Sequence, residues 1–169
     1  MKSDKNNLMS ITDYLKANSL LLSTAESCTA GQMIALLAGI PGSGQLLESG
    51  YVVYSPEAKQ RILHVNAKTI ETYGLTSEEV ASEMAVGALK GGPANVAIAT
   101  TGVAGPDPRD GIEPGTVCIA WVFLQADRIE KFSQTKIFSG DRPVVQLAAS
   151  LYALNQLPWF HRKATPAIM

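Results

Sequence analysis

A chain of 169 residues is the size of one ordinary domain and can bury a core without metal or cross-links. Apolar residues at 46% and charged residues at 17% exclude disorder as the main state. Fourteen Lys and Arg against fifteen Asp and Glu leave a formal charge of -1, so no global field draws nucleic acid or anionic lipid, and neither is expected as a partner.

The N-terminal lysines have no apolar stretch behind them, and no uncharged apolar run approaches bilayer length, so a cytoplasmic protein is expected. Leu8, Ile11 and Leu15 keep a helical period, and Leu20 to Leu22 read as a short buried strand. Residues 23–31 are small and polar and predict a turn, after which Met33, Ile34, Leu36 and Leu37 restore a helix. Pro41 to Gly44 is loop chemistry, and Glu48 to Tyr54 predicts a strand. Ser55-Pro56-Glu57 starts a helix, since Ser caps, Pro fits the first helical position and Glu complements the dipole. Thr76-Ser77-Glu78-Glu79 reads as a capping box from Thr76 to Glu79, with the helix running to Lys90. Val96, Ile98 and Ala99 form a strand that opens into a fourteen-residue loop, Gly102 to Gly115, without periodicity. Val117 to Leu124 and Ile129 to Phe138 predict an antiparallel hairpin across Ala126-Asp127. Asp141 caps a last helix with an apolar stripe from Val144 to Leu154, which Pro158 is expected to stop. These elements predict a three-layer α/β/α sandwich with a mixed, five-stranded sheet, in one domain with its core over residues 8–156 and a peripheral tail over 157–169.

Cys28 and Cys118 stand 90 positions apart and His64 and His161 are isolated, so neither a disulfide framework nor a metal site is expected, and no cofactor. Chemistry is expected where strands end and helices begin. At the first such turn Ser27, Cys28 and Thr29 are three candidate nucleophiles at a helix start, where free amides also receive an oxyanion; helix capping is the competing role. Without a suitable histidine, the base for Ser27 is a lysine held neutral, and Lys59 with Tyr54 as proton relay fits that need. Lowering a lysine from about 10.4 toward about 7.5 takes roughly 4 kcal/mol, of which a helix N-terminus supplies about 0.3 to 1. Burial must supply the rest, so Lys59 is a base only if its amine is enclosed; a solvated lysine with a packing Tyr54 is the alternative. Ser133-x-x-Lys136 alternates like a strand and is set aside, and Arg142 either grips a phosphate or is an ordinary surface arginine.

Four ordered segments carry a family resemblance: Thr24 to Gly31, Gly50 to Lys59, Thr101 to Asp107, and Phe138 to Arg142. Together they resemble the competence/damage-inducible CinA C-terminal family, which includes nicotinamide-nucleotide amidases, over residues 8 to 156. The resemblance implies a three-layer α/β/α fold and metal-free hydrolysis of the carboxamide of nicotinamide mononucleotide. It implies Ser27 as nucleophile, Lys59 as base and later proton donor to ammonia, and Tyr54 as relaying or orienting hydroxyl. The amides of Cys28 and Thr29 are then candidates for the oxyanion, and Thr101, Gly102 and Arg142 for ribose and phosphate. The chain departs from the family pattern at Ala30, where a glycine is usual, and at Pro56, where an Asn is usual. It departs again across Pro108 to Glu113, where Glu113 stands for a lysine and is expected to repel a phosphate that Arg109 compensates. A nucleotide-binding paralogue without activity, and an amidase for another nucleotide or a pterin-like compound, are the competing functions. Trp159-Phe160 beside His161, Arg162 and Lys163 either packs on a second subunit or folds back; the expectation taken forward is a homo-oligomer.

Overall fold

The structure, a computed structural model, describes residues 2–126 and 128–165. Asp127 of the expected hairpin turn and residues 166–169 of the expected tail lie outside the described residues. The sheet is built on β1 (Leu22–Glu26), which pairs in parallel with β2 (Leu47–Val52) on one side and β3 (Val96–Gly102) on the other. Antiparallel β4 (Thr116–Gln125) and β5 (Arg128–Ile137) complete the order β2-β1-β3-β4-β5. Helices α1 (Lys2–Ala17), α2 (Gln32–Ala38) and α6 (Arg142–Ala164) cover one face. Helices α3 (Pro56–Leu63), α4 (Ala67–Tyr73) and α5 (Glu78–Lys90) cover the other, which makes the three-layer sandwich with a mixed sheet.

Strand periodicity sorts the core. Ile98, Ile119, Trp121 and Phe123 face α1, α2 and α6, and the Trp121 indole N–H donates to the Ala153 carbonyl at 2.8 Å. Ala97, Ala99, Cys118 and Ala120 face α5, whose own Ala81, Ala85 and Ala88 are also small. Small against small lets α5 lie close to the sheet, and close packing continues outward to α3. A Cβ on Gly87 of α5 would run into the Leu63 carbonyl of α3, so that glycine sets how near α3 comes.

Three local expectations are corrected and one unforeseen helix is added. The first strand runs over Leu22–Glu26 rather than Leu20 to Leu22, because its polar side chains are buried rather than solvated: Ser23 bonds Ser49 on β2 at 2.9 Å, the Glu26 carboxylate is also bonded, and the Thr24 hydroxyl is buried with no partner among the described residues. The cap of α5 is Ser77, which accepts from the Val80 amide at 3.3 Å; Thr76 lies one residue too early, and Glu78 instead takes the Ser133 and Thr135 hydroxyls of β5. Helix α4 has no buried residue and therefore no apolar stripe to reveal it; Asn66 caps it and Glu83 of α5 bonds the Asn66 amide and the Thr69 hydroxyl. Finally, α6 passes through Pro158 to Ala164. Proline inside a helix costs about 3 kcal/mol, and this cost is offset by burial beyond it, where Phe160 stacks on Trp121 at 4.3 Å and the Tyr14 hydroxyl bonds His161 at 3.0 Å. Leu157, Phe160, His161 and Ala164 are thus buried rather than peripheral, and Phe160 folds back on its own chain while Trp159 stays 41% exposed. Among the described residues no helix is long and apolar enough to cross a membrane.

Gly87→Ala is expected to destabilise the fold by about 1–3 kcal/mol through overpacking against Leu63, and urea unfolding measures it. An unchanged midpoint would show that α3 is not held by this approach.

Candidate active site

The parallel strands end together, with Glu26 opposite both Val52 and Thr100, and the candidate site lies just beyond. Glu26 is fully buried. Its carboxylate accepts from the Thr29 hydroxyl at 2.7 Å and from the Met33 and Ile34 amides at 3.1 Å each. It therefore satisfies free donors of the first turn of α2 and places a negative charge at the positive end of that helix. The Thr29 hydroxyl also bonds Thr100 on β3 at 2.7 Å, the Ser27 amide donates to the Thr100 carbonyl at 3.0 Å, and Gln146 of α6 donates to the Cys28 carbonyl at 2.8 Å. Ala30 and Gly31 then turn the chain with φ of 57° and 88°. A side chain in that conformation is strained, so the usual glycine at position 30 has a backbone reason and Ala30 is tolerated at a cost. Glu26 and Gln146 escape a search for reactive groups; the available signal is a carboxylate ending a strand seven residues before a helix amide that it caps.

Lys59 comes from the first turn of α3. The Ser55 hydroxyl accepts from the Ala58 amide at 3.0 Å and Pro56 opens the helix, as its start signal predicts. The side chain runs back beneath the strand ends, and its Nζ lies 2.9 Å from Ser27 Oγ, 3.1 Å from the Val53 carbonyl and 2.9 Å from the Tyr54 carbonyl. Lys59 is 1% exposed. Burial is the main reason that its amine drops from 10.5 to about 8; the Cys28 sulfur opposes that fall, and the Arg109 charge adds to it. At pH 7 roughly one amine in ten is then neutral, against about one in three thousand for an ordinary lysine.

The three acceptors suit both protonation states. An ammonium donates to all three oxygens. Once it loses a proton, two N–H groups remain on the carbonyls of Val53 and Tyr54, and the lone pair faces Ser27, whose hydroxyl becomes the donor. Among the three candidate nucleophiles this singles out Ser27. The Thr29 hydroxyl is engaged with Glu26 and Thr100, and burial pushes the Cys28 thiol up to about 12.

Ser27, Cys28, Tyr54, Lys59, Thr101, Gly102 and Arg142 all line one cavity of about 310 Å³, whereas Thr29 lies behind its wall. Tyr54 differs from expectation: the residue is 60% exposed, and its carbonyl rather than its phenol reaches Lys59. Among the described residues its hydroxyl bonds neither Lys59 nor Ser27. The Thr101 hydroxyl donates to the Leu75 carbonyl at 2.8 Å and so ties the loop before α5 to the cavity. Gly102 is required by packing, since a Cβ there would strike the Thr116 carbonyl. Asp141 caps α6 through the Val144 amide at 3.1 Å, which puts Arg142 at the cavity rim. Glu113 is exposed and outside the cavity wall, while Arg109 is part of it. Among the described residues no other residue's acceptor takes the Cys28 or Thr29 amide, the Cys28 N–H lying against its own sulfur.

Fold and site define a three-layer α/β protein with a buried serine–lysine pair at the ends of its parallel strands. The model of the CinA C-terminal domain matches residues 5–160. The chain belongs to the CinA C-terminal domain family. It is 41% identical over 143 residues to the nicotinamide-nucleotide amidohydrolase PncC of Escherichia coli strain K12, covering 85% of this chain and 86% of that protein. Its fold is similar to the crystal structure of a competence-damaged protein (CinA) superfamily protein from Escherichia coli, with a TM-score of 0.86 at 34% identity over 95% of this chain and 92% of the other. A competence damage-inducible protein A from Klebsiella pneumoniae gives a TM-score of 0.87 at 32% identity, covering 97% and 99%.

The lowered Lys59 value has a consequence for stability with a definite sign. Between about pH 8 and 10.5 the unfolded chain holds a proton on Lys59 that the folded chain has released, so this residue's contribution to stability rises with pH across that window. Below it the folded protein carries the full cost of a buried ammonium, about 3 kcal/mol. Lys59→Met is expected to be more stable than the parent at pH 7, with the gap closing toward pH 10.5. Denaturant unfolding at both pH values measures this, and a constant gap would contradict a buried amine.

Proposed function

We propose that the protein hydrolyses the carboxamide of nicotinamide mononucleotide to nicotinate mononucleotide and ammonia. The observation that carries this reading is the 2.9 Å contact between the enclosed Lys59 amine and Ser27 Oγ, in a chain of this family that resembles PncC over most of its length. In the reaction, neutral Lys59 takes the Ser27 proton as Oγ attacks the carboxamide carbon. The amides of Cys28 and Thr29 hold the oxyanion that forms. Lys59 gives its proton to the departing nitrogen, the C–N bond breaks, and ammonia leaves an acyl ester on Ser27. Water then loses a proton to Lys59 and attacks the ester, and the proton returns to Ser27 as the carboxylic acid departs. Tyr54 supports the amine through its carbonyl, and its phenol stands at the rim, where it orients the substrate. Thr101, Gly102 and Arg142 take the ribose and phosphate. The complete serine–lysine contact favours an active enzyme over a paralogue that only binds nucleotide.

Purified protein is expected to release ammonia from nicotinamide mononucleotide. Ser27→Ala and Lys59→Met are each expected to lower kcat/KM by about a thousandfold or more, and normal turnover by Ser27→Ala would overturn the assignment. Tyr54→Phe keeps the carbonyl and removes only the hydroxyl, so its loss is expected to be at least about tenfold smaller than that of Lys59→Met; an equal loss would place the phenol in the proton path. The rate is expected to rise with pH and level off near pH 8, where Lys59 becomes neutral, and a pH–rate profile without that limb would exclude Lys59 as base.

A further inference from the structure

The loop from Gly102 to Gly115 contains a built element. Arg109 and Ile112 exchange both backbone hydrogen bonds, at 3.1 and 2.9 Å, across Asp110 and Gly111, whose φ values are 53° and 76°. Two central residues with positive φ inside a reciprocal pair are the pattern of a tight type I′ hairpin, for which Asp-Gly is a preferred sequence. Arg109 therefore projects from a fixed backbone rather than from a loose loop. It belongs to the wall of the cavity that holds Ser27 and Lys59, as does Arg142 at the start of α6.

The Arg109 side chain is 76% exposed, and among the described residues its one ion pair is a 3.9 Å approach of Nε to Asp110. That distance is too long for a hydrogen bond, so its terminal nitrogens stay available to a ligand. Its charge reaches the bottom of the cavity, where it helps lower the Lys59 amine. Two guanidinium groups from separate elements lining one cavity suit a phosphate, which offers several oxygens to planar, paired donors. Asp107 and Asp110 line the same cavity and penalise an anionic group that settles beside them rather than at the arginines.

We propose that the Arg109 hairpin is a specificity element that reads the terminal phosphate of the substrate together with Arg142, and makes this site select a phosphorylated ribosyl amide over its nucleoside. This deepens the amidase reading and rests on the same cavity being the substrate site. It is tested first by binding, which needs no turnover. Calorimetry with ribose 5-phosphate is expected to show binding to the whole protein and none with ribose. Arg109→Ala is expected to weaken it about tenfold or more, and Arg109→Lys by less. Gly111→Val, which keeps the arginine but puts a β-branched residue at positive φ, is expected to weaken it as well. Unchanged affinity in Arg109→Ala or in Gly111→Val, or no affinity in the parent protein, overturns the proposal.

The second arm compares nicotinamide mononucleotide with nicotinamide riboside. Assayed above about pH 9, where Lys59 is neutral with or without the Arg109 charge, Arg109→Ala is expected to raise KM for the nucleotide about tenfold with little change in kcat, and to leave KM for the riboside unchanged. An equal change on both substrates means a structural effect and overturns the proposal. Absence of ammonia release, with phosphosugar binding that still depends on Arg109, removes the amidase reading alone and leaves the phosphate site standing.

Discussion

An enclosed lysine amine is the constraint that organises this molecule. Water stabilises an ammonium strongly, so a lysine gives up its proton near neutral pH only where the protein withholds that solvation and yet leaves the nitrogen something to bond. The end of β2 meets both demands. The Val53 amide makes the last bond to β1, to the Glu26 carbonyl at 2.9 Å, and the carbonyls of Val53 and Tyr54 then turn to Lys59. The lysine stem runs through the layer between α3 and the sheet, and the capped first turn of α3 starts it in the right direction. Any change that opens this layer hydrates the amine and restores an ordinary lysine, so the packing of α3 on α5 belongs to the chemistry as much as to the fold.

The partner hydroxyl is held by a different set of contacts. Along β1 alternate residues face opposite sides, so Glu26 points toward α2 while Ser27 emerges toward α3. One strand end thus sends its carboxylate to the helix on one face and its hydroxyl to the amine on the other. The carboxylate spends its charge on the amides of α2 and on Thr29. That separation matters, because a free carboxylate beside Lys59 would favour the ammonium and undo the effect of burial. Thr100 and Gln146 then fix the same loop from β3 and α6. Four elements meet at one short turn, and so a site on a loop is held with the precision of a core.

How far the sequence reveals this depends on whether the relevant signal is local. Helix starts at Ser55 and Asp141 are written in adjacent residues, and both appear where the capping chemistry puts them. For Ser27 and Lys59 the lack of a suitable histidine points to lysine as the type of base, but helix capping and a solvated lysine stay open until the resemblance of the two segments joins them. Contacts distant in sequence are harder. Pro158 reads as a stop because the stack of Phe160 on Trp121 cannot be seen from residue 158. The strand Leu22–Glu26 hides for the same reason, since Ser23, Thr24 and Glu26 resemble a solvated turn until their partners across the sheet are known. Tyr54 shows a further limit: a residue name suggests its side chain, whereas here the backbone carbonyl makes the contact with Lys59. The Asp110-Gly111 hairpin was within reach of local reading, but lack of periodicity over the whole loop obscured a two-residue signal.

The same contrast separates the parts of the site that tolerate change from those that do not. Ser27, Lys59 and the residues that aim them are buried in both layers, where one altered methyl group is felt across the core. The walls at Arg109 and Arg142 hang from exposed hairpin and helix-start backbone, where side chains are exchanged at little cost to stability. Of the departures from the family pattern between Pro108 and Glu113, Arg109 lines this outer wall and Glu113 stands off it, and neither belongs to the contacts that hold Ser27 against Lys59. Ala30 is the exception that locates the boundary. It lies three residues from Ser27 on the inner loop, and its positive φ shows the loop keeping a glycine-like shape even though the residue has a side chain. The geometry around Ser27 is therefore imposed by Glu26, Thr100 and Gln146 from outside the turn, strongly enough to hold an alanine where the chain alone would relax.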